Sequence, residues 1–322
     1  MNKKIMHVIN YYHEGFGYQE NWLAYHQKAQ GADVVIVTSD YFFPFPHYEA
    51  TMEPKLGKRY KGNGIFYDNG VRVIRKKSVL GSFSKAVLIL FSVKKEIVSF
   101  EPDVIHVHGA TTLEIFEIIF LQNKYKYKIF IDSHTDNVVS PLRWYSYCYF
   151  YLWRKLYFIF SVRKKVSKFL PITQNAKEWL ISRFNLNECE TDISLLGVDI
   201  KTMHYCEQGE NNIREQYALE GKIILVNAGK QYSGKKIDFI VDVFVYAKNV
   251  LMLDNLFLLL VGNSDSEYKR YIDEKLLGVK DSYLRIPFLE RSELMLIYSA
   301  ADIGIWPGVP SNTIQEAMSC GV

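Results

Sequence analysis

The sequence is short of the features that would assign it to several large classes. It has only four cysteines, Cys148, Cys189, Cys206 and Cys320, and no two stand at metal-ligand or C-x-x-C spacing. A disulfide-stapled secreted scaffold is smaller and denser in cysteine, so free thiols in a reducing compartment fit the count. No apolar run reaches about 18 residues without a charge, which leaves no candidate for a membrane-spanning helix. Residues 1–10 hold a brief apolar stretch interrupted by His7 and lack the apolar core and small-residue cleavage site of a secretory leader. Charge of one sign is scarce too: a net +4 is far from the basic balance of a nucleic-acid binder. No D-x-D pair is placed to hold a divalent ion, since Asp265-Ser266-Glu267 sits in the wrong context.

What is present is an ordinary globular balance. The 322 residues are 48% hydrophobic and 23% charged, enough for about two domains of roughly 150 residues. Short strand-like runs, largely apolar, at residues 5–9, 33–38, 71–74 and 103–107 alternate with helical spacing at 19–30 and 83–100. That rhythm predicts a parallel sheet covered by helices on both faces. Residues 41–69 interrupt it with three prolines and read as a long loop, either a binding loop or a surface excursion. Residues 187–199 read as a hinge, with a strand at 193–196 running into Gly197-Val198-Asp199. Strand and helix patterns then restart at 222–227, 237–250, 256–261, 292–300, 302–306 and 311–319. The second α/β unit is expected to be incomplete, because its alternation stops at Val322.

Three segments carry candidate chemistry. Gly15-Phe16-Gly17 follows the first strand, where backbone N–H groups at a helix start can approach a phosphate. A tight turn without ligand explains the same glycines, and Glu20 occupies the third position of the dinucleotide fingerprint. That substitution weakens a nicotinamide-dehydrogenase reading, for which Asp40 would be the ribose-binding acid. Lys230 and Lys235 lie on the loop after the strand at 222–227, at the carboxyl end where open α/β sheets bind ligands, and two ammonium groups there suit a diphosphate. Near the end, Ser311 or Asn312 can cap a helix and leave the amides through Thr313 free, with Glu316 one turn in as an acceptor for ribose hydroxyls or as a plain capping glutamate.

In this order the segments resemble the retaining, group 1 (family four) glycosyltransferases over nearly the whole chain. Gly15-Phe16-Gly17 resembles their glycine loop, and Asp103-Val104-Ile105-His106-Val107-His108 their D-V-x-H-x-H strand. Ile131-Asp132-Ser133-His134 resembles the strand ending in their active-site histidine. Leu195-Leu196-Gly197-Val198-Asp199 is similar to their domain junction and Gly229-Lys230 with Lys235 to their G-R-L-x-x-x-K-G loop. Residues 258–262 resemble the L-x-x-V-G strand, and Glu316-Ala317-Met318-Ser319-Cys320-Gly321 the E-A-M-A-C-G helix. Gly308 stands where the family has the first of two glutamates that grip the donor sugar. Lys230 replaces an arginine and loses its bidentate fork, and Lys236 replaces a glycine.

The resemblance implies a GT-B fold. Two Rossmann-like domains with parallel sheets would face a central cleft, an acceptor domain at 1–197 and an incomplete nucleotide-sugar domain at 198–322. It implies retaining, metal-independent transfer of a hexose-type sugar from a nucleotide diphosphate sugar, UDP-sugar favoured, to a glycan or lipid-linked acceptor, as in bacterial surface polysaccharide synthesis. No cofactor, metal or nucleic-acid partner is expected. His134, Lys230 and Lys235 would be catalytic. Gly15, Gly17, Ser311, Asn312, Thr313 and Glu316 would bind the donor, and His108 would face the acceptor. A non-catalytic nucleotide-sugar-binding protein is the alternative. Residues 141–171 combine aromatics with seven cations and no acid. They read either as a helix on an anionic membrane surface or as a core helix with solvated charges. The expected location is cytoplasmic, peripheral on the inner membrane face.

Overall fold

The computed structural model describes residues 2–45, 47–79, 89–137, 144–308 and 311–322. Contacts divide the chain into two units, one of Met1–Pro44 and Arg59–Leu196, the other of Phe45–Lys58 and Gly197–Val322.

The strands of the first unit are β1 (Lys4–Ile9), β2 (Asp33–Ser39), β3 (Gly64–Asp68), β4 (Val71–Lys76), β5 (Val104–His108), β6 (Lys128–Ser133) and β7 (Lys168–Pro171). They form one sheet in the order β3-β4-β2-β1-β5-β6-β7, parallel except for β3 at the edge. The antiparallel strand falls inside residues 41–69, where three prolines argue for a loop. Asn69 and Gly70 have φ of 46° and 77°, the positive values a two-residue hairpin turn needs, so the N-G pair turns β3 back onto β4.

The helices, in chain order, start with α1 (Gln19–Ala29), followed by the one-turn α2 (Tyr48–Thr51) and α3 (Glu53–Leu56), which group with the second unit. Then come α4 (Lys94–Phe100), α5 (Glu114–Tyr125), α6 (Trp144–Ile159), α7 (Val162–Lys165) and α8 (Gln174–Phe184). The helical spacing expected at 83–100 is realised only from Lys94; residues 83–88 of that expectation lie outside the described residues.

Strand alternation sorts the side chains of the first sheet onto two faces. One face presents Met6, Val8, Val35, Val37, Ile105, Val107, Ile129 and Ile131, fully or nearly fully buried, to α4, α5, α6 and α8. The other presents Ile9, Val34, Ile36, Val71 and Val73 to Ala24 of α1, but His7, His106 and Asp132 interrupt it as buried polar groups. Each fully buried aliphatic side chain contributes about 1.5–3 kcal/mol, so three polar groups at such positions are a cost that needs a reason.

The second unit has β8 (Ile223–Ala228), β9 (Leu256–Val261), β10 (Tyr283–Ile286) and β11 (Ile303–Gly304), all parallel in the order β10-β9-β8-β11. Its helices are α9 (Glu207–Gln216), α10 (Ile237–Asn249), α11 (Ser266–Lys275), α12 (Arg291–Ala300) and α13 (Thr313–Ser319). Ile224, Val226, Leu259 and Val261 pack against α9, α12 and α13. Leu225, Leu258 and Leu260 pack against α10 and α11. The strand expected at 193–196 is not a ladder strand. Ser194 donates a single backbone bond to Pro171, and Leu195 is exposed, so no sheet face draws this stretch into register. No described helix is long and apolar enough to cross a membrane.

Candidate active site

In open α/β sheets ligands bind at the carboxyl ends of the strands, and Gly15, Gly17 and His134 of the first unit and Lys230 and Lys235 of the second follow such ends. In the first unit Gly15 and Gly17 have φ of 68° and 71°, a region open to glycine without penalty. The Gly15 amide donates to Asp68 Oδ2 at 3.2 Å, and the same oxygen accepts from Tyr12 and Asn21 at 2.6 and 3.0 Å. The glycine turn is thus tied to β3, a strand the sequence reading missed. Glu20, in the first turn of α1, is buried. Burial raises the pKa of its carboxyl, while His108 and then His134 pull it down.

His108 closes β5 and His134 lies just beyond β6. Asp132 brings them together: its Oδ2 is 2.5 Å from His108 Nδ1 and 3.8 Å from His134 Nε2. His106 Nε2 approaches the same oxygen at 3.2 Å. His7, His106 and His108 bring ring nitrogens within 4.8 Å of one another, a grouping that can in principle hold a metal. Here the rings stack, with His106 and His108 centroids 4.5 Å apart, and His7 Nδ1 and His108 Nε2 share a hydrogen bond of 2.9 Å. His106 Nε2 and His108 Nδ1 both face Asp132 Oδ2, while His7 Nδ1 and His108 Nε2 face each other.

In the second unit the loop after β8 carries Lys230, and a single 3-10 turn, Ser233–Lys235, carries Lys235. Burial and then Lys235 push the Lys230 ammonium down to about 7, and burial pushes Lys235 down to about 8. The Lys230 Nζ lies 3.3 Å from the centroid of the Phe45 ring, a cation–π contact that accompanies the burial. Gly229 has φ of 134°, and a Cβ there would lie 3.8 Å from Ser311 Oγ, so the lysine loop and the start of α13 are neighbours. Thr313 Oγ1 donates to Ala228 O at 3.0 Å. The capping expectation at Ser311 or Asn312 is corrected in part. Asn312 is the N-cap, but with helical dihedrals and no side-chain cap bond, which leaves Thr313 as the residue that ties the helix to β8.

Glu316 is buried and paired with Arg291 of α12. Its pKa is raised by burial, with Arg291 pulling the other way. The sequence carries no signal for Arg291, Asp68 or Phe45, and it presents His7, Glu20 and Asp132 only as members of the first strand, the glycine turn and the strand that ends before His134. Gly308 has a physical reason of its own. A Cβ there would meet Gly234 O at 2.5 Å and Lys235 Cα at 2.7 Å, so the turn that carries Lys235 fills the space a side chain would need.

The sequence pattern of Glycosyltransferase Family 4 matches residues 22–202, more than half of the chain. The chain belongs to glycosyltransferase family 4. Solved structures agree on the fold. HepE of Anabaena in complex with UDP superposes with a TM-score of 0.70 at 13% identity, over 99% of this chain and 79% of HepE. Sucrose-phosphate synthase from Thermosynechococcus elongatus gives 0.64 at 17% identity, over 99% and 80%. WaaG, a glycosyltransferase involved in lipopolysaccharide biosynthesis, gives 0.60 at 13% identity, over 99% and 79%. No curated protein matches. The family 4 chain therefore has the GT-B fold, two Rossmann-like units with parallel-dominated sheets, and is a glycosyltransferase.

Proposed function

We propose that the protein transfers a hexose from a UDP-sugar to a glycan or lipid-linked acceptor with retention of configuration, needing no divalent metal, in the synthesis of a bacterial surface polysaccharide. The observation that carries the reading is the pair Lys230 and Lys235 at the carboxyl end of β8, two partly buried lysines on one loop whose ammonium groups burial pushes down to about 7 and about 8. Two ammonium groups at the carboxyl end of a strand suit a diphosphate. HepE has been crystallised with UDP and with UDP-glucose, which supports a uridine nucleotide as the donor's leaving group.

In this reading residues 198–322 bind the donor and 1–197 the acceptor. As the glycosidic bond breaks, charge develops on the diphosphate. Lys230, Lys235 and the amides at Ser311, Asn312 and Thr313 stabilise it in a water-poor site. Glu316, oriented by Arg291, accepts hydrogen bonds from the ribose. His134 meets the donor sugar or the acceptor hydroxyl, Gly15 and Gly17 approach the donor, and His108 lies on the acceptor side.

The test is UDP release from UDP-glucose and related donors. Lys230→Ala or Lys235→Ala should slow it by about 2–4 kcal/mol of transition-state stabilisation, and EDTA should leave it unchanged. Near-normal turnover in both variants would overturn the assignment. Gly308 favours a second reading, a nucleotide-sugar-binding protein without turnover, because the Gly234–Lys235 backbone leaves no room for a sugar-gripping carboxylate there. Saturable UDP-glucose binding with no UDP release over a range of acceptors would support it.

We place the protein in the cytoplasm, peripheral on the inner membrane face, docked through α6. Its core stripe is Ser146, Phe150, Trp153 and Tyr157, while Tyr147, Tyr151, Leu152 and Phe158 are exposed, Phe158 to 82%. Arg154, Lys155 and Lys164 are exposed beside them, whereas Arg163 pairs with Glu190 and Lys165 donates to Ile119 O. Exposed aromatics flanked by cations suit an anionic lipid surface.

A further inference from the structure

The polar groups on the α1 face of the first sheet form a connected chain with a direction. Pairing sets His7 opposite His106 and His108 opposite Asp132, so alternation points all four side chains to the same face. A carboxylate buried at such a position is costly unless its charge is met. Asp132 Oδ1 accepts the Gly109 amide at 3.0 Å, and Oδ2 is ringed by imidazole nitrogens of His108, His106 and His134 at 2.5, 3.2 and 3.8 Å.

Protons can be traced along the chain from its inner end. Gln27 Oε1 lies 2.8 Å from His7 Nε2. With the amide oxygen in that place it accepts, so Nε2 of His7 carries the proton and Nδ1 is left as acceptor. Nδ1 then receives the Nε2 proton of His108 across 2.9 Å. The other nitrogen of His108 faces the Asp132 carboxylate, so the His108 ring bridges His7 and Asp132. His134 is the surface end of the chain: 39% of its side chain is exposed, against 6% for His108 and 4% for Asp132.

We propose that Asp132 is a positioning residue for His134: its carboxylate, aimed by Gly109 and shared with His108, fixes the direction and the charge of the His134 ring and leaves Nδ1 to meet the substrate. The inference rests on the reading above that His134 touches the sugar or the acceptor. The titratable groups that interact with His134 are Asp132 from β6, Glu20 from α1 and His106 from β5, with His108 sharing the Asp132 carboxylate. Burial of the ring opposes a proton, but Asp132 and then Glu20 outweigh it, and His134 keeps its proton to higher pH than an ordinary imidazole. His7 and His106 are held neutral by burial and by His108. Asp132 stays ionised despite burial, chiefly because of His108. An apo separation of 3.8 Å between His134 and Asp132 is within what a substrate complex tightens.

The experiment is ring-carbon NMR of histidine-labelled full chain between pH 5 and 9, assigned with His134→Ala, alongside the pH profile of UDP release from UDP-glucose. Asp132→Asn should lower the His134 midpoint by about one unit or more and move the profile the same way, with activity partly recovered in acid. His108→Gln removes the imidazole that shares Asp132 with His134 and should raise the midpoint. Opposite shifts from two neighbours are not what loss of packing produces. If either variant fails to fold, as read by its melting curve, the other still decides. An unmoved His134 midpoint in a folded variant overturns the proposal whatever happens to turnover. Should the midpoints move as expected while His134→Ala releases UDP at the normal rate, the positioning of the ring holds and the role of His134 in the reaction falls.

Discussion

Lys230 and Lys235 give the donor site a pH dependence with a definite sign. With ammonium groups pushed down to about 7 and about 8, both lose charge between neutral and mildly alkaline pH, while the UDP phosphates stay fully ionised. Affinity for UDP should fall about tenfold or more from pH 7 to pH 9, one pKa unit being about 1.4 kcal/mol. Titration calorimetry at three pH values checks this, and the slope should flatten in the double alanine variant. Without nucleotide the unfolded chain binds more protons than the folded one above about pH 7, so stability should rise with pH until the unfolded lysines titrate near about 10. Gly308 makes a second residue-scale prediction. Gly308→Ala and Gly308→Glu should both lower stability by about 1–3 kcal/mol through overpacking, and both should weaken UDP binding by displacing the Lys235 turn. If the alanine is harmless in a melting curve and only the glutamate hurts, charge and not space is the cause. The lysines were legible because two cations after a buried strand stand out from apolar neighbours. Asp132 and His7 were not, because a single polar residue inside a strand looks like noise until the register shows them side by side.

Elements with a strong apolar pattern are legible in the sequence, and those that hang on a short pattern are not. The strands β1, β2, β5, β8 and β9 are largely apolar runs, and the structure keeps them within a residue or two. The β3 hairpin hangs on two residues, Asn69 and Gly70, inside a proline-rich stretch that argued for a loop. The α6 segment could not be resolved from composition, since its aromatics serve both ends: Phe150, Trp153 and Tyr157 fill the core and Tyr147, Tyr151 and Phe158 do not. Helical spacing separates the two sets once the burial of one is known. Binding to anionic vesicles should weaken about 100-fold in the triple variant Arg154→Glu, Lys155→Glu, Lys164→Glu, at roughly 1 kcal/mol or more per cation. Rising salt should have the same effect by screening. Cosedimentation with anionic and neutral vesicles measures it, and indifference to anionic vesicles at low salt would leave the exposed α6 face to another partner.

For the whole molecule, the two-unit organisation followed from the restart of strand–helix alternation after residue 199, and family membership from motifs in sequence order. What the order of motifs could not reveal is that the second unit is discontinuous: Phe45–Lys58 groups with it, so the chain leaves the first unit at Pro44, returns at Arg59 and leaves again at Leu196. A gene split at Gly197 would therefore yield a second unit without Phe45, whose ring covers the Lys230 ammonium. That ammonium would regain water and with it part of its basicity, with Lys235 still holding it down. An excised donor half would report a nucleotide affinity and a pH response belonging to the cut and not to the protein. A circular permutant that keeps Phe45–Lys58 in covalent company with Lys230 is the fragment design this chain calls for.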